Sequence, residues 1–215
     1  MIKNLIYDLD GTLINSYKDI IFSFNYAFKK NNLKKKINVN FFKKNANLGS
    51  NFFIKSALGN KNYNLKKIQK DFLNHYNHNL KNTTLKKGVV DFLKYSKLKK
   101  YCNILCTNKK KVTAINILKK LKIYKYFNYI IGIDTFLLLK KPEIGFILKI
   151  KKKFKLSSEN PAVIGDTDVD SILARRAKMN FYLVRGGYTK KKITYKNFSF
   201  SDFNNLKIKL INEKI

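Results

Sequence analysis

Ile2-Lys3-Asn4-Leu5-Ile6-Tyr7-Asp8-Leu9-Asp10-Gly11-Thr12 is the stretch from which the rest of this 215-residue chain can be read. Its first half is short, apolar and rich in strand formers. It runs straight into two acids and a glycine, so it reads as a β-strand ending in a tight loop. Carboxylates two residues apart on such a loop can face one ligand. Held close, they repel unless a cation or a proton is shared between them.

Downstream of the loop the rhythm is helical. Ser16 to Lys30 carries Ile20, Ile21, Phe24, Ala27 and Phe28 at helical spacing, and residues 41–48, 51–58 and 64–80 read as further helices. Leu48-Gly49-Ser50 and Leu58-Gly59-Asn60 read as breaks between them. No strand is expected from about Asn15 to Thr84, which leaves a small all-helical subdomain at 15–84. From Gly88 helices and strands alternate. Strands are expected at 103–106, 129–133, 161–164 and 181–184, and helices at 89–98, 111–121, 142–154, 169–178 and 201–215, with Pro142 in the first turn of its helix. Short apolar strands joined by helices indicate an α/β domain with a parallel sheet covered on both faces, here of five strands. The core domain is expected to comprise residues 1–14 and 85–215.

Several strand ends carry polar residues: Asp8 and Asp10, Thr107 and Asn108, and Gly165-Asp166. In open parallel α/β sheets ligands bind outside the carboxyl ends of the strands, so these residues should converge on one crevice. Asp166 adds a third carboxylate to Asp8 and Asp10, and several oxygen ligands around a cation is the usual magnesium arrangement. Thr107 and Asn108 offer hydroxyl and amide donors for phosphate oxygens. Lys141, after the third strand, offers a point charge for an anion. Such an ensemble suits transfer of a phosphoryl group to a carboxylate. Asp168 reads as a helix-start residue, and His75 and His78 as a solvated helix face.

The formal net charge of +33 suggests a polyanion partner, because Lys and Arg clusters bind nucleic acid or anionic membranes. The charge is nearly all Lys, and the arginines are only Arg175, Arg176 and Arg185. Lys, Asn, Ile, Phe and Tyr make up more than half of the chain, and all have A/T-rich codons; nucleotide bias accounts for this composition without selection for charge. Arg is the better reader of bases and phosphates, so no specific nucleic-acid partner is expected. Cys102 and Cys106 lie on one expected strand, which holds them too far apart to bridge, and no further zinc ligands share a matching spacing. Buried reduced thiols fit a cytoplasmic protein. No apolar run reaches transmembrane length, and the acids by residue 10 leave no room for a secretory signal, so no membrane association is expected.

Asp8-Leu9-Asp10-Gly11-Thr12-Leu13 resembles the first motif of the haloacid dehalogenase-like hydrolases. Thr107-Asn108 is similar to their second motif, Lys141-Pro142 to the third, and Gly165-Asp166-Thr167-Asp168-Val169-Asp170 to the fourth, in the family's order along the chain. The resemblance implies a Rossmann-like core with the helical insertion 15–84 as a cap. It implies a phosphatase with Asp8 as nucleophile, Asp10 as acid and base, and Lys141 offsetting negative charge. Thr107 and Asn108 would bind or orient the phosphoryl group or the substrate, completed by backbone N–H groups near Leu9 and Gly11. Mg2+ would be held by Asp8, the Asp10 carbonyl and Asp166, with Asp170 acting through water or by steadying Lys141. Leu105 to Lys109, Lys140-Lys141-Pro142 and Gly186-Gly187-Tyr188 look like phosphoglycolate phosphatases. Ile133 and Ile144 stand where that subgroup commonly has glycine and proline. Pyrophosphate, nucleotides and sugar phosphates remain alternative substrates, with a phosphomutase or a polyanion-binding protein on a retired hydrolase fold as rival readings. The expected partner is a small phosphorylated substrate, and the expected assembly a monomer or homodimer.

Overall fold

The computed structural model describes residues 4–46, 49–59, 63–136, 139–153, 161–188 and 192–212. Strand β1 (Asn4–Tyr7) leads through β2 (Ile14–Asn15) into α1 (Tyr17–Lys30), α2 (Val39–Asn45), α3 (Gly49–Leu58) and α4 (Leu65–His78), and the chain returns through β3 (Thr84–Leu85). Then follow α5 (Val89–Leu98), β4 (Cys102–Cys106), α6 (Lys111–Lys120), β5 (Tyr129–Ile131), α7 (Ile144–Lys153), β6 (Ala162–Gly165), α8 (Asp168–Arg176), β7 (Asn180–Val184), β8 (Phe198–Phe200) and α9 (Phe203–Asn212).

The main sheet has the order β5-β4-β1-β6-β7-β8, with every neighbouring pair parallel. All of β1 is buried, which explains why it shows no alternation of apolar and polar residues. Its side chains divide between two cores. Leu5 and Tyr7 pack on one face with Phe92, Leu105 and Phe203, while Ile6 packs on the other with Ile104, Phe146, Val163 and Leu173. From β1 the chain builds outward through β4 to β5, then crosses back to lay down β6, β7 and β8 on the other side. The switch falls at β1, so a crevice is expected above the carboxyl ends of β4, β1 and β6.

The five expected strands are all present, and the count is corrected to six. The additional edge strand β8 pairs with β7, Phe198 opposite Tyr182. It is three residues long and only Phe200 is buried, too short a run for a period-two pattern to stand out. Three other details differ from expectation. Strand β5 ends at Ile131 because the chain turns there, with the Ile133 N–H donating to the Lys109 carbonyl at 2.9 Å. Helix α7 begins at Ile144, not Pro142, which lies in a turn closed by the Glu143 N–H on the Lys140 carbonyl at 2.9 Å. His75 is not simply solvated: its ring stacks on Tyr26 at 4.1 Å and bonds Ser23 Oγ at 3.0 Å. Of the expected breaks, Gly49 opens α3 and Gly59 closes it, while Leu48 and Asn60 lie outside the described residues, as do Ile2, Lys3, Phe154 and 213–215.

Helices α1 and α4 meet along faces spaced four residues apart: Ile20, Phe24 and Phe28 on one, Ile68, Phe72 and Tyr76 on the other. Phe24 stacks on Phe72 with centroids 3.8 Å apart, and Phe53 of α3 lies 4.5 Å from Phe24. The chain enters and leaves this helical region side by side, because β2 and β3 pair antiparallel with Ile14 opposite Leu85 and Asn15 opposite Thr84. The buried Asp19 fastens the return: its carboxylate accepts the Asn82 N–H at 3.0 Å, the Asn82 side-chain amide at 2.8 Å and the Thr83 hydroxyl at 2.7 Å. Asp19→Ala strands these donors and is expected to cost about 3 kcal/mol in a urea unfolding experiment. A loss below about 1 kcal/mol would show that this clasp does not hold the junction. Among the described residues no helix is long and apolar enough to cross a membrane.

Candidate active site

Asp8 stands one residue beyond β1, and its N–H still continues the sheet by donating to the Ile164 carbonyl at 2.9 Å. That bond fixes where its carboxylate emerges. Lys141 Nζ lies 2.6 Å from Asp8 Oδ1 and 2.7 Å from Asp170 Oδ1. The other Asp170 oxygen accepts the Thr167 hydroxyl at 2.7 Å and the Thr167 N–H at 3.3 Å, so the first turn of α8 holds the residue that holds Lys141. Lys141 is buried, whereas its neighbour Lys140 is exposed on the rim.

Asp166, one residue past β6, is fully buried. It accepts the Thr12 hydroxyl at 2.8 Å on Oδ1 and the Tyr188 N–H at 2.6 Å on Oδ2. Two glycines make room for it. A Cβ on Gly11 would fall 2.3 Å from Asp166 Oδ2, and one on Gly187 would fall 2.2 Å from the same atom. Gly11 also sits at φ +83, which favours glycine, so both its conformation and its bareness are used.

The Asp10 carboxylate turns the other way. Oδ1 takes a short hydrogen bond from Ser16 Oγ, and Oδ2 faces Lys109 Nζ at 3.3 Å. Ser16 is tied in turn to Tyr188, its N–H donating to the phenolic oxygen at 2.7 Å and its hydroxyl lying 3.1 Å from it. Burial and the nearby Asp10 hold the Tyr188 phenol well above its ordinary range, so it stays protonated. Thr107 stands one residue past β4, buried, with its N–H on the Ile131 carbonyl and its hydroxyl accepting the Lys109 N–H at 3.2 Å.

Asp8, Asp10, Thr107, Asn108 and Lys141 thus line one cavity of about 530 Å³, faced by Ile20, Phe24, Phe42, Phe53 and Phe72 from the helical region, with Gly49 and Ser50 also on its wall. Leu9 and Gly11 are not on that wall. Leu9 is buried beneath the loop, and the Gly11 N–H donates to the Ile14 carbonyl at 2.8 Å, which takes it out of the expected phosphate cradle. Thr12, Ser16, Lys109 and Tyr188 are additional members. Thr12, Lys109 and Tyr188 lie within stretches that carry the resemblance, but nothing local in the sequence marks Ser16 or its pairing with Tyr188, which spans 172 positions.

Ligand oxygens of Asp8, Asp166 and Asp170 lie within 4.8 Å of one another. Burial raises the Asp8 carboxyl to about 8, an effect that Lys141 opposes and Asp170 and Asp166 reinforce. Burial and then Asp170 raise Asp166 to about 7, against the bonds from Tyr188 and Thr12. Lys141 also remains charged: burial disfavours its ammonium, but Asp170 and Asp8 outweigh that. Once all three carboxylates are ionised, the one buried ammonium leaves a deficit of two positive charges. All-oxygen donors with that deficit fit a hard divalent cation. Asp8, Asp166 and Asp170 are the side chains placed to hold it.

Residues 5–184 match the model of the haloacid dehalogenase-like hydrolase family. A phosphoglycolate phosphatase of Aquifex aeolicus is 28% identical over 98% of this chain and 97% of its own length. One of Mesorhizobium japonicum is 24% identical over 88% of this chain and 85% of its own. Among solved structures, one described as a predicted phosphoglycolate phosphatase from Haemophilus somnus superposes with a TM-score of 0.88 at 26% identity, covering 97% of this chain and 98% of that one. CbbY from Rhodobacter sphaeroides in complex with phosphate shares the fold at a TM-score of 0.85 and 16% identity, covering 96% of each chain. With the motif residues gathered at one crevice and the family match running through most of its length, this chain belongs to the haloacid dehalogenase-like hydrolases.

Proposed function

We propose that this protein is a magnesium-dependent phosphatase that hydrolyses 2-phosphoglycolate to glycolate and phosphate through a phosphorylated Asp8. The observation that carries the reading is the pairing of Asp8 with Lys141 at the floor of a cavity that Asp10 also lines. The relatives that match over most of their length support the substrate.

In the first half-reaction an Asp8 oxygen attacks phosphorus and the bond to the ester oxygen breaks, while Asp10 gives that oxygen a proton so that a neutral alcohol leaves. In the second, Asp10 takes a proton from water, whose oxygen attacks phosphorus. The bond to Asp8 breaks, phosphate departs and the carboxylate is restored. Ser16 and Lys109 fix the orientation of the Asp10 carboxylate for both transfers. Lys141 favours the ionised form of Asp8 and holds it in place, and Thr107 would bond phosphoryl oxygens. A magnesium ion held by Asp8, Asp166 and the Asp10 carbonyl would supply charge neutralisation of the phosphoryl oxygens. Residues 15–84 act as a cap over a core of residues 1–14 and 85–215, closing the cavity against bulk water. The free thiols Cys102 and Cys106 suit the cytoplasm.

The test is phosphate release from a panel of phosphate monoesters, with magnesium or with a chelator. Release from phosphoglycolate no faster than from unrelated esters would defeat the substrate, and no release from any ester would defeat the reaction.

Metal binding also carries a pH signature. In the metal-free protein Asp8 and Asp166 keep protons up to about 8 and about 7, whereas their ordinary value is 3.8. The folded state therefore binds more protons than the unfolded one across that window, and metal-free stability falls as pH rises through it. A cation displaces those protons. Magnesium should raise the melting temperature more at about pH 8 than at about pH 5, with proton release on binding. Equal shifts at both pH values would show that these carboxylates are not the ligands.

A further inference from the structure

We propose that Lys109 and Tyr76 form the subsite that receives an anionic group on the alcohol half of the substrate, and so select an ester bearing a carboxylate. The inference rests on the phosphatase reading above and assigns its specificity to two residues.

The wall of the cavity facing Asp8 is apolar, with Phe24, Phe42, Phe53 and Phe72 on it. Two of its few polar side chains satisfy each other, Gln69 Nε2 donating to Ser50 Oγ at 2.7 Å. Tyr76, on α4, is different. It lines the cavity, is 1% exposed, and its hydroxyl makes no hydrogen bond to any described residue. A buried hydroxyl left without a partner is costly, so one that borders a ligand cavity points to a ligand.

Lys109 comes from the opposite side, the loop after β4. Its ammonium lies 4.3 Å from the centroid of the Tyr76 ring, where its charge acts on the phenol, and 3.3 Å from Asp10 Oδ2. Of the other lysines on the cavity wall, Lys141 is taken by Asp8 and Asp170, and Lys110 and Lys140 are exposed. A cation beside Asp10 is a cation beside the leaving oxygen, because Asp10 is the group that protonates it. In a 2-phospho carboxylic acid one carbon separates the ester oxygen from the carboxyl carbon. Covalent geometry then puts the carboxylate oxygens roughly 2.7 to 3.6 Å from the ester oxygen. With the phosphoryl group at Asp8, that carboxylate falls within reach of the Lys109 ammonium, and the Tyr76 hydroxyl gains an acceptor. The surrounding phenylalanines exclude water and strengthen the pairing.

The experiment compares kcat/KM for 2-phosphoglycolate with that for ethyl phosphate, in which a methyl group stands in place of the carboxylate. The unsubstituted protein should prefer phosphoglycolate. Lys109→Met should lower the preference by roughly 30-fold or more, Lys109→Arg should keep most of it, and Tyr76→Phe should lower it about 5-fold. If Lys109→Met depresses both substrates by the same factor, Lys109 acts only through Asp10; the subsite is then overturned and the substrate reading survives. If the unsubstituted protein shows no preference, the substrate reading and the subsite fall together, while hydrolysis itself stands. Tyr76→Phe keeps the ring and removes only the hydroxyl. Should Lys109→Met fail to fold, an unchanged preference in Tyr76→Phe overturns the inference and a lowered one supports it.

Discussion

Asp8→Asn is expected to abolish turnover, with kcat lower by on the order of 10⁴-fold or more, and to leave the protein folded. The amide has nearly the volume of the carboxylate, so the end of β1 keeps its packing. It has no anionic oxygen with which to attack phosphorus. The substitution also relieves strain in the metal-free protein, where Asp8 crowds Asp166 and Asp170 in a buried site and its carboxyl is raised to about 8. Lys141 loses one partner but retains Asp170 at 2.7 Å. The melting temperature without metal should therefore be unchanged or higher. Phosphate release and thermal melts on the two proteins check both halves. Intact mass after acid quenching adds a third readout, a single phosphoryl group on the unsubstituted protein that is missing from the variant. Full activity in Asp8→Asn would refute a covalent role for this residue.

Lys141→Met should damage stability as well as catalysis. Lys141 is the buried cation among three carboxylates, bonded to Asp8 at 2.6 Å and Asp170 at 2.7 Å. Without it the cluster has no internal countercharge. Breaking a buried ion pair by removing one partner costs about 3 to 5 kcal/mol, because the other charge stays buried. Magnesium should return part of that stability by supplying positive charge at the same place, but not the activity, since Asp8 and the phosphoryl group then lack their neighbouring ammonium. Urea unfolding of both proteins, with and without magnesium, measures the loss and the rescue. A variant as stable as its parent without metal would mean that the lysine does not neutralise the cluster.

Much of the floor of this site was legible because its residues follow short apolar strands. Asp8, Thr107 and Asp166 all stand just beyond strand ends, and a parallel sheet carries such ends to one edge. Lys141 could be singled out from many lysines only through Pro142 and the family motif; its burial between two carboxylates is a property of the folded chain. The apolar periodicity of α1 marks Phe24 as inward-facing, and residues 64–80 read only as a helix that carries Phe72. Neither says that the two stack on one another, or that the far wall of the cavity is built from them. The pairing of Ser16 with Tyr188 was illegible for a related reason. Nothing near either residue signals a partner, and their contact exists only because the loop after β1 and the loop after β7 meet at the same end of the sheet. The extra strand β8 escaped for want of length.

The junction made by β2, β3 and Asp19 bears on how such a protein can change. The segment between Asn15 and Thr84 begins and ends at paired positions, so it hangs from the sheet as a closed loop. Doubling the length of a flexible loop with fixed ends adds only about 0.6 kcal/mol of closure entropy. Helices can be lengthened, lost or replaced there without shifting the register of any strand that carries Asp8, Thr107 or Asp166. The fold therefore separates two parts along its own sequence: the residues gathered at the strand ends are anchored in the sheet, and the helices that face them are mounted on a detachable frame.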